Sequence, residues 1–247
     1  MRVLRVSHSA TAADVINPRA QLPLWRRVVG SAWFHLAAAF IVTGLILSFV
    51  AKPYVVPSGS MEDTLSVGDR ILVNRLAYIG SAPGTGDIIV FDAGTAWDAV
   101  RPAESDPFRA IVRWLGEITG FGPSGPHTLV KRVIAGAGQV VECCSADGEI
   151  LIDGVALAEP YVRDDYPFLP GELDCATVPR SARCFDEVVV PDDSLLVLGD
   201  KRAYSSDSAA LCRAPDASPD CWRWSTREGV IGEVVLRWWP ISNWGVP

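Results

Sequence analysis

Serine hydroxyls and lysine amines are the groups in this sequence whose types and positions favour nucleophilic chemistry. A serine attacks a carbonyl efficiently when a base accepts its proton and hydrogen-bond donors meet the developing oxyanion. Bases are scarce among the 247 residues, which include only three histidines and three lysines: His8, His35, His127, Lys52, Lys131 and Lys201. Of the histidines, only His127 lies beyond the apolar segment 28–51, so a Ser-His-Asp triad outside that segment could use no other.

Lys131 is the lysine best placed to act as a base. It stands in the apolar run LVKRVIA at 129–135, where burial would lower the pKa of its amine. The pKa must fall by roughly two units from a usual ~10.4, which costs about 3 kcal/mol of destabilised charge. Lys52 borders the apolar segment with no catalytic group beside it, and the neighbouring Asp200 favours a charged Lys201. The metal motif HExxH and the serine motif GxSxG are absent, and we expect a reaction without metal or cofactor.

Four blocks of sequence together resemble the type I signal peptidases, which are serine peptidases with a Ser-Lys dyad. The blocks are YVVPSGSMEDTLSVGDRILVNR at 54–75, GDIIVF at 86–91, LVKRVIA at 129–135 and LGDKRAYSSDS at 198–208. The first resembles the family's nucleophile region, where Ser-x-Ser-Met precedes a Thr-Leu pair, and the last resembles its Gly-Asp-Asn-Arg motif. All four occur in the family's order and span most of residues 54–208.

The resemblance implies a role for each matching residue. Ser60 matches the nucleophile, Lys131 the general base, and Ser58 the donor that joins the Ser60 backbone N–H in the oxyanion hole. Ser205 matches the hydroxyl that orients the lysine amine. Charged residues that brace the site are implied at Arg132, Asp200, Arg202 and Asp207, and positions lining shallow substrate pockets at Tyr54, Val56, Pro57, Met61, Leu65 and Val130. Each pocket position could instead belong to the core, and the family's preference for small residues before the cut, of the Ala-x-Ala type, is implied.

The sequence departs from the family pattern at four places. Asp63 stands where Pro is common, Lys201 replaces Asn, Ala209 replaces Arg, and AGAGQ at 135–139 replaces a Gly-x-Pro-Gly-Asp-like turn. The replacement at Ala209 leaves Asp207 without its usual neighbour. We therefore predict a substitute partner for Asp207, with Arg202 and Arg213 as the candidates. Lys201 is the one rival to Lys131 as the base.

A membrane anchor is predicted ahead of these blocks. Residues 28–51 carry no Asp, Glu, Lys or Arg over 24 positions, and as a helix they would reach ~36 Å, enough to cross a ~30 Å hydrocarbon core. Arg26 and Arg27 precede the segment, which places the N-terminus in the cytoplasm and the rest outside. A cleavable signal peptide is the alternative, but Phe49 stands where a small residue is required.

The elements that must position the candidate site are short β-type runs separated by Gly, Pro and Asp. We expect a mainly β fold, namely a signal-peptidase-like β-barrel or sandwich core with an inserted β subdomain, preceded by one transmembrane helix. The predicted organisation is a cytoplasmic tail at 1–27, the helix at 28–51, a first catalytic part at 52–141 with an insertion near 92–127, the inserted subdomain at 142–190, and a second catalytic part at 191–247. The insertion is predicted to hold a short amphipathic helix around 108–118.

Charge and cysteine content set the environment. The net charge of -7 combines roughly +4 in residues 1–27 with about -11 beyond residue 51, which argues against a nucleic-acid partner. All six cysteines follow the apolar segment, which indicates an oxidising compartment and favours disulfides over zinc. The pairs 175/184 and 212/221 are each nine positions apart, whereas the adjacent Cys143 and Cys144 would need a strained ring to join each other, so the pairing stays open.

Together these features predict a membrane-bound serine endopeptidase. It would remove signal peptides from exported precursor proteins through an acyl-enzyme, at the outer face of the cell membrane and near the secretion translocon. A self-cleaving Ser-Lys repressor is a second enzyme class, disfavoured by the anchor. A catalytically inactive, membrane-anchored peptide-binding or scaffold protein of the secretion machinery is the alternative outside enzymes. Five tryptophans near the C-terminus predict either a surface that contacts lipid or the core of a β-barrel: Trp222, Trp224, Trp238, Trp239 and Trp244.

Overall fold

The computed structural model describes residues 23–94, 97, 128–214 and 216–247. The chain divides into two compact units, Met1–Leu45 and Ile46–Pro247. Residues 1–22 of the predicted tail, most of the predicted insertion, its helix around 108–118, and His127 lie outside the described residues.

Two helices cover the segment for which the sequence predicted one. Helix α1 spans Leu24–Val29, and α2 spans Ala32–Phe49. Gly30 and Ser31 separate them, and the first strand begins at Ala51, so the predicted continuous helix over 28–51 is not confirmed. Within the described residues, no helix combines the length and the apolar character that a membrane crossing requires.

The rest of the described chain is mainly β, as predicted. The strands are β1 (Ala51–Val55), β2 (Arg70–Asn74), β3 (Ile88–Asp92), β4 (Thr128–Gly136), β5 (Val140–Cys143), β6 (Ile150–Ile152), β7 (Val155–Ala156), β8 (Phe185–Val189), β9 (Ser194–Leu198), β10 (Ser225–Thr226) and β11 (Val230–Trp239). They form a seven-stranded sheet in the order β1-β2-β11-β3-β4-β9-β10 and a four-stranded sheet in the order β7-β6-β5-β8. Neighbouring strands are antiparallel throughout both sheets.

Strand β4 lies inside the seven-stranded sheet, and its residues suit a strand that is covered on both faces. It pairs with β3 on one side and β9 on the other, and positions 130–135 are all buried. Strand β9 is buried along its whole length, and both strands read as nearly continuous apolar runs. This burial includes the two charged residues of β4, Lys131 and Arg132.

The six cysteines form three pairs, Cys143–Cys144, Cys175–Cys184 and Cys212–Cys221. The second and third are the pairs that share a nine-residue spacing. The first joins the adjacent cysteines, whose partners the sequence left open. The cysteines therefore lie at disulfide distance, in agreement with the disulfides that the sequence favoured.

Candidate active site

Ser60 lies in a short 3₁₀ turn, Gly59–Met61, that follows β1. The residue is buried, with 5% of its surface exposed, and its carbonyl oxygen accepts a hydrogen bond from the Lys201 N–H at 3.1 Å. Met61 and Leu65 hold the turn against the sheet, because both are almost completely buried in one apolar cluster. The nucleophile candidate is therefore fixed from both sides of the turn.

Lys131 reaches Ser60 from the centre of β4. Its Nζ lies 2.5 Å from Ser60 Oγ and 3.1 Å from Ser205 Oγ, and the residue is only 3% exposed. Burial lowers the pKa of the ammonium from its ordinary 10.5 to about 8, against the opposing pull of Asp207 and Asp200. A substantial fraction of the amine is neutral near pH 7 to 8, as a general base requires.

Ser58 completes the group of hydroxyls around the amine. Its side chain is exposed, and its Oγ lies 3.4 Å from Ser60 Oγ. A carbonyl placed next to Ser60 Oγ would lie near the Ser58 hydroxyl, where a donor could meet an oxyanion. The arrangement has the parts needed for acyl transfer: a nucleophile, a base with a lowered pKa, a hydroxyl that orients the base, and an oxyanion donor.

Arg132, the residue after the predicted base, forms a two-point ion pair. Its Nε and its second amino group bind the two carboxylate oxygens of Asp200 at 2.9 and 2.7 Å, and both residues are buried. Thr64 adds a hydrogen bond to the same carboxylate. The pair joins β4 to the loop after β9 and to the segment that follows the nucleophile turn.

Asp207 has the substitute partner that the sequence predicted, and it is Arg213. The two side chains are 2.9 Å apart and almost fully buried. Asp207 also accepts hydrogen bonds from the backbone N–H groups of Ala209 at 3.2 Å and Gly199 at 3.4 Å. The other candidate, Arg202, pairs instead with Glu159 and donates to the Gly199 carbonyl at 3.2 Å.

Replacing Arg213 with Ala is expected to destabilise the fold by about 3 kcal/mol, because it leaves the buried Asp207 carboxylate with backbone donors alone. Thermal and urea unfolding of both proteins would measure the change. Arg180→Ala is the matched control, since its partner Asp186 is 87% exposed, and it should cost less than about 1 kcal/mol. Equal losses in the two variants would contradict a special role for the Arg213 pair.

Lys201, the rival base, is held in a protonated state. Its Nζ lies 2.7 Å from a Glu62 carboxylate oxygen, and this hydrogen bond raises the pKa of Lys201. From the sequence we expected the neighbouring Asp200 to keep Lys201 charged, but the Asp200 carboxylate forms its ion pair with Arg132. Glu62 takes that place, with Asp164 at 3.8 Å.

The predicted pocket positions lie in the core beneath the nucleophile turn. Pro57 is half-buried. The other five are buried in a single cluster: Tyr54, Val56, Met61, Leu65 and Val130. Val56 and Leu65 are at most 1% exposed, whereas Tyr54 and Val130 keep 7% and 5%. The last two and Pro57 thus present the more accessible surface of the set.

The five C-terminal tryptophans divide between the two alternatives. Trp222 and Trp224 stack on each other and pack against the core. Trp239 and Trp244 are 47% and 62% exposed. Trp238 lies beneath the Arg70 guanidinium, 5.8 Å from its ring centroid.

Two functional candidates near the site escaped the sequence analysis. Glu159 binds Arg202 and accepts a hydrogen bond from Tyr161 at 3.1 Å, yet no motif marks it. Gly199 could have been identified from its place in the LGDKRAYSSDS block. A β-carbon there would collide with Ser205 Oγ and would lie 2.5 Å from the Ser60 carbonyl oxygen.

The chain is similar to several known proteins. A family described as signal peptidase, peptidase S26, matches residues 28–239. A probable signal peptidase I of Mycobacterium leprae is 34% identical over 260 residues, covering 96% of this chain and 85% of that protein. Signal peptidase I of Mycobacterium tuberculosis is 37% identical over 216 residues, covering 84% and 71%. A crystal structure of a signal peptidase I from Enterococcus faecalis superposes with a TM-score of 0.34 at 21% identity, covering 62% of this chain and 96% of that one.

Proposed function

Because the chain belongs to the signal peptidase family of serine endopeptidases, we propose that it removes signal peptides from exported precursor proteins with Ser60 as nucleophile and Lys131 as base. The observation that carries the assignment is the 2.5 Å contact between Lys131 Nζ and Ser60 Oγ, made by an amine whose pKa is lowered to about 8.

The reaction begins when neutral Lys131 accepts the Ser60 hydroxyl proton and the oxygen attacks the carbonyl of the scissile bond. The Ser60 backbone N–H and the Ser58 hydroxyl donate to the oxyanion. Lys131 then returns the proton to the leaving amine, which leaves an acyl group on Ser60. In the second half a water molecule gives a proton to Lys131 and attacks the ester carbonyl, and Lys131 passes that proton to the departing Ser60 oxygen, which releases the acid and restores the hydroxyl. Ser205 orients the amine through both halves.

Substrates are proposed to carry small residues before the cut, of the Ala-x-Ala type. Tyr54, Pro57 and Val130 are the most accessible of the predicted pocket residues and would form the walls. Because these walls belong to a close-packed core, we expect the space between them to accept a methyl group more readily than a larger side chain.

The enzyme is proposed to act at the outer face of the cell membrane, next to the secretion translocon. Residues 28–51 contain no Asp, Glu, Lys or Arg, and Arg26 and Arg27 precede them, in agreement with a single anchor whose N-terminus is cytoplasmic. Eight residues separate Ala51 from Ser60, and at about 3.3 Å per extended residue this linker reaches no more than about 30 Å. The scissile bond would thus be cut close to the bilayer.

The function is tested by incubating purified protein with a precursor bearing an Ala-x-Ala site and identifying the products by mass spectrometry. Wild type is expected to cut after the second Ala, and Ser60→Ala is expected to give no product above background. Equal cleavage by both proteins would exclude Ser60 as the nucleophile. A wild type that binds the precursor without cutting it would favour the inactive peptide-binding or scaffold protein.

Cleavage is expected to rise with pH through a single ionisation near 8. Lys131 must be neutral to accept a proton, and with a pKa of about 8 only about a tenth of the molecules qualify at pH 7. The log of kcat/KM should therefore increase with unit slope below pH 8 and level off above it. A rise displaced above pH 10.5 would instead indicate Lys201, whose pKa is raised from that ordinary value by its hydrogen bond to Glu62.

Contact with lipid is expected at the exposed tryptophans. Vesicles containing brominated acyl chains should quench the fluorescence of Trp239 and Trp244, because bromine quenches only rings that enter the bilayer interface. Trp25 and Trp33, which lie at and in the proposed anchor, are replaced by Phe in every protein compared, and the double variant Trp239→Ser, Trp244→Ser should then lose most of the quenching. The stacked Trp222 and Trp224 supply the unquenched control signal, and unchanged total fluorescence would exclude the contact.

A further inference from the structure

Residues 159–165, a segment that follows β7, contact the nucleophile turn through a side chain that the proposed reaction does not use. One carboxylate oxygen of Asp63 accepts hydrogen bonds from two successive backbone N–H groups, those of Arg163 at 2.7 Å and Asp164 at 2.9 Å. Asp63 is three positions after Ser60 and about a hundred positions before its partners. The contact therefore depends on the tertiary fold.

The same turn is also held from the opposite side. Lys201 donates its backbone N–H to the Ser60 carbonyl and its ammonium to Glu62. Glu62 and Asp63 thus connect the nucleophile turn to two different segments, the loop after β9 and residues 159–165. Lys201 joins those two segments in turn, since its ammonium lies 3.8 Å from Asp164.

Asp63 contributes more to this arrangement than the neighbouring ion pair does. The Glu62 side chain is 40% exposed and that of Lys201 23%, and ion pairs of such exposure contribute little. Asp63 is half-buried, and an ionised acceptor that binds two fixed backbone donors forms a stronger, more directional contact.

The far end of the 159–165 segment is tied to the groups that brace the base. The Tyr161 ring lies under the Arg132 guanidinium at 3.9 Å, and the Tyr161 hydroxyl donates to Glu159. Glu159 in turn binds Arg202, which is three positions from both Gly199 and Ser205. Asp63 links the 159–165 end of this network directly to the chain that follows Ser60.

We propose that Asp63 is a positioning residue, which couples residues 159–165 to the nucleophile turn and so keeps Ser60 Oγ within hydrogen-bond distance of Lys131 Nζ. The inference rests on the proposed Ser-Lys reaction. Asp63 exchanges no proton with the substrate and acts only through Ser60. Where the family commonly has Pro, which fixes the backbone by its ring, this chain uses two hydrogen bonds to a neighbouring segment.

Asp63→Ala is expected to lower kcat about 20-fold while KM stays within about twofold, because the change misplaces the nucleophile without touching the pocket walls. Asp63→Asn keeps an oxygen that can accept both N–H groups, so it should restore kcat to within about threefold of wild type. A role in fold stability alone would not separate Ala from Asn at temperatures where both are fully folded. Asp186→Ala, which removes an exposed carboxylate elsewhere, is the matched control.

Amide hydrogen exchange gives a readout that does not depend on catalysis. Exchange at Arg163 and Asp164 should be faster in Asp63→Ala than in wild type, and near wild type in Asp63→Asn. A wild-type kcat in Asp63→Ala would overturn the inference while leaving the proposed function intact. If wild type cleaves no precursor, the proposed function fails. Separately, unchanged exchange at Arg163 and Asp164 in Asp63→Ala would overturn the coupling between Asp63 and residues 159–165. Asp63→Leu, which keeps the branch at Cγ but has no acceptor, replaces the Ala variant should that variant not fold.

Discussion

Replacing Lys131 with Met is expected to reduce precursor cleavage by about 10³-fold or more. Methionine fills nearly the same volume and carries no proton acceptor, so Ser60 loses the amine that lies 2.5 Å from its hydroxyl. Cleavage by wild type and variant would be compared at several pH values, and the remaining activity should lose its rise near pH 8. Lys201→Met is the comparison, expected to retain cleavage within about tenfold, because that ammonium stays charged.

The same substitution is expected to stabilise the protein at pH 7. A pKa lowered from 10.5 to about 8 corresponds to about 3 kcal/mol of destabilised charge in the folded state. Methionine removes that cost, although the Ser60 and Ser205 hydroxyls each lose a hydrogen bond, so the net gain should be about 1–2 kcal/mol.

The pH dependence of this gain identifies its cause. Below pH 8 Lys131 is protonated both folded and unfolded, and the burial cost is fully present. Between pH 8 and 10.5 the unfolded chain still binds the proton while the folded protein has released it, so wild-type stability rises with pH. The advantage of Lys131→Met should shrink across that window and become a disadvantage of about 1–2 kcal/mol above it, where only the lost hydrogen bonds remain. An advantage that stayed constant from pH 6 to pH 10.5 would mean that packing, rather than charge, is responsible.

The mainly β fold was predictable from the sequence because the strands that hold the site carry strong local signals. The LVKRVIA run identifies β4 as a buried strand, and its single lysine thereby becomes a buried amine. The partner of Asp207 was also within reach, because Ala209 cannot supply a charge and Arg213 lies six positions away. The catalytic roles of these residues stay predictions that the proposed experiments test.

Other contacts had no local signal. Glu159 and Arg202 are 43 positions apart, and their pairing depends on how the segment between β7 and β8 returns to the site. The bonds from Asp63 to the backbone of 163–164 are of the same kind, since backbone donors leave no mark in the sequence. The spacing of the tryptophans was equally consistent with a lipid-contacting surface and with a place in the core. Only the packing distinguishes the stacked pair, Trp222 and Trp224, from the exposed pair, Trp239 and Trp244.

Replacing Gly199 with Ala is expected to lower kcat/KM at least about 10²-fold, although Gly199 carries no reactive group. An added β-carbon would collide with Ser205 Oγ and would lie 2.5 Å from the Ser60 carbonyl oxygen. Both neighbours belong to the catalytic arrangement, so relief of the collision must move the nucleophile or the hydroxyl that orients Lys131. A displacement of about 1 Å between reacting groups has an effect of this size.

Gly136→Ala separates this geometric effect from the general cost of replacing a glycine. Gly136 ends the strand that carries Lys131, and a β-carbon there would meet only Gln139 Oε1, at an ordinary 3.9 Å. It should therefore leave kcat/KM within about twofold of wild type. Kinetics at temperatures where both variants are fully folded would show whether Gly199→Ala loses activity beyond any loss of stability. Wild-type activity in a folded Gly199→Ala would contradict the prediction. It would mean that the loop after β9 can move away from Ser60 without a loss of rate. The contacts of Ser205 and Ser60 with this loop would then not set the reacting geometry.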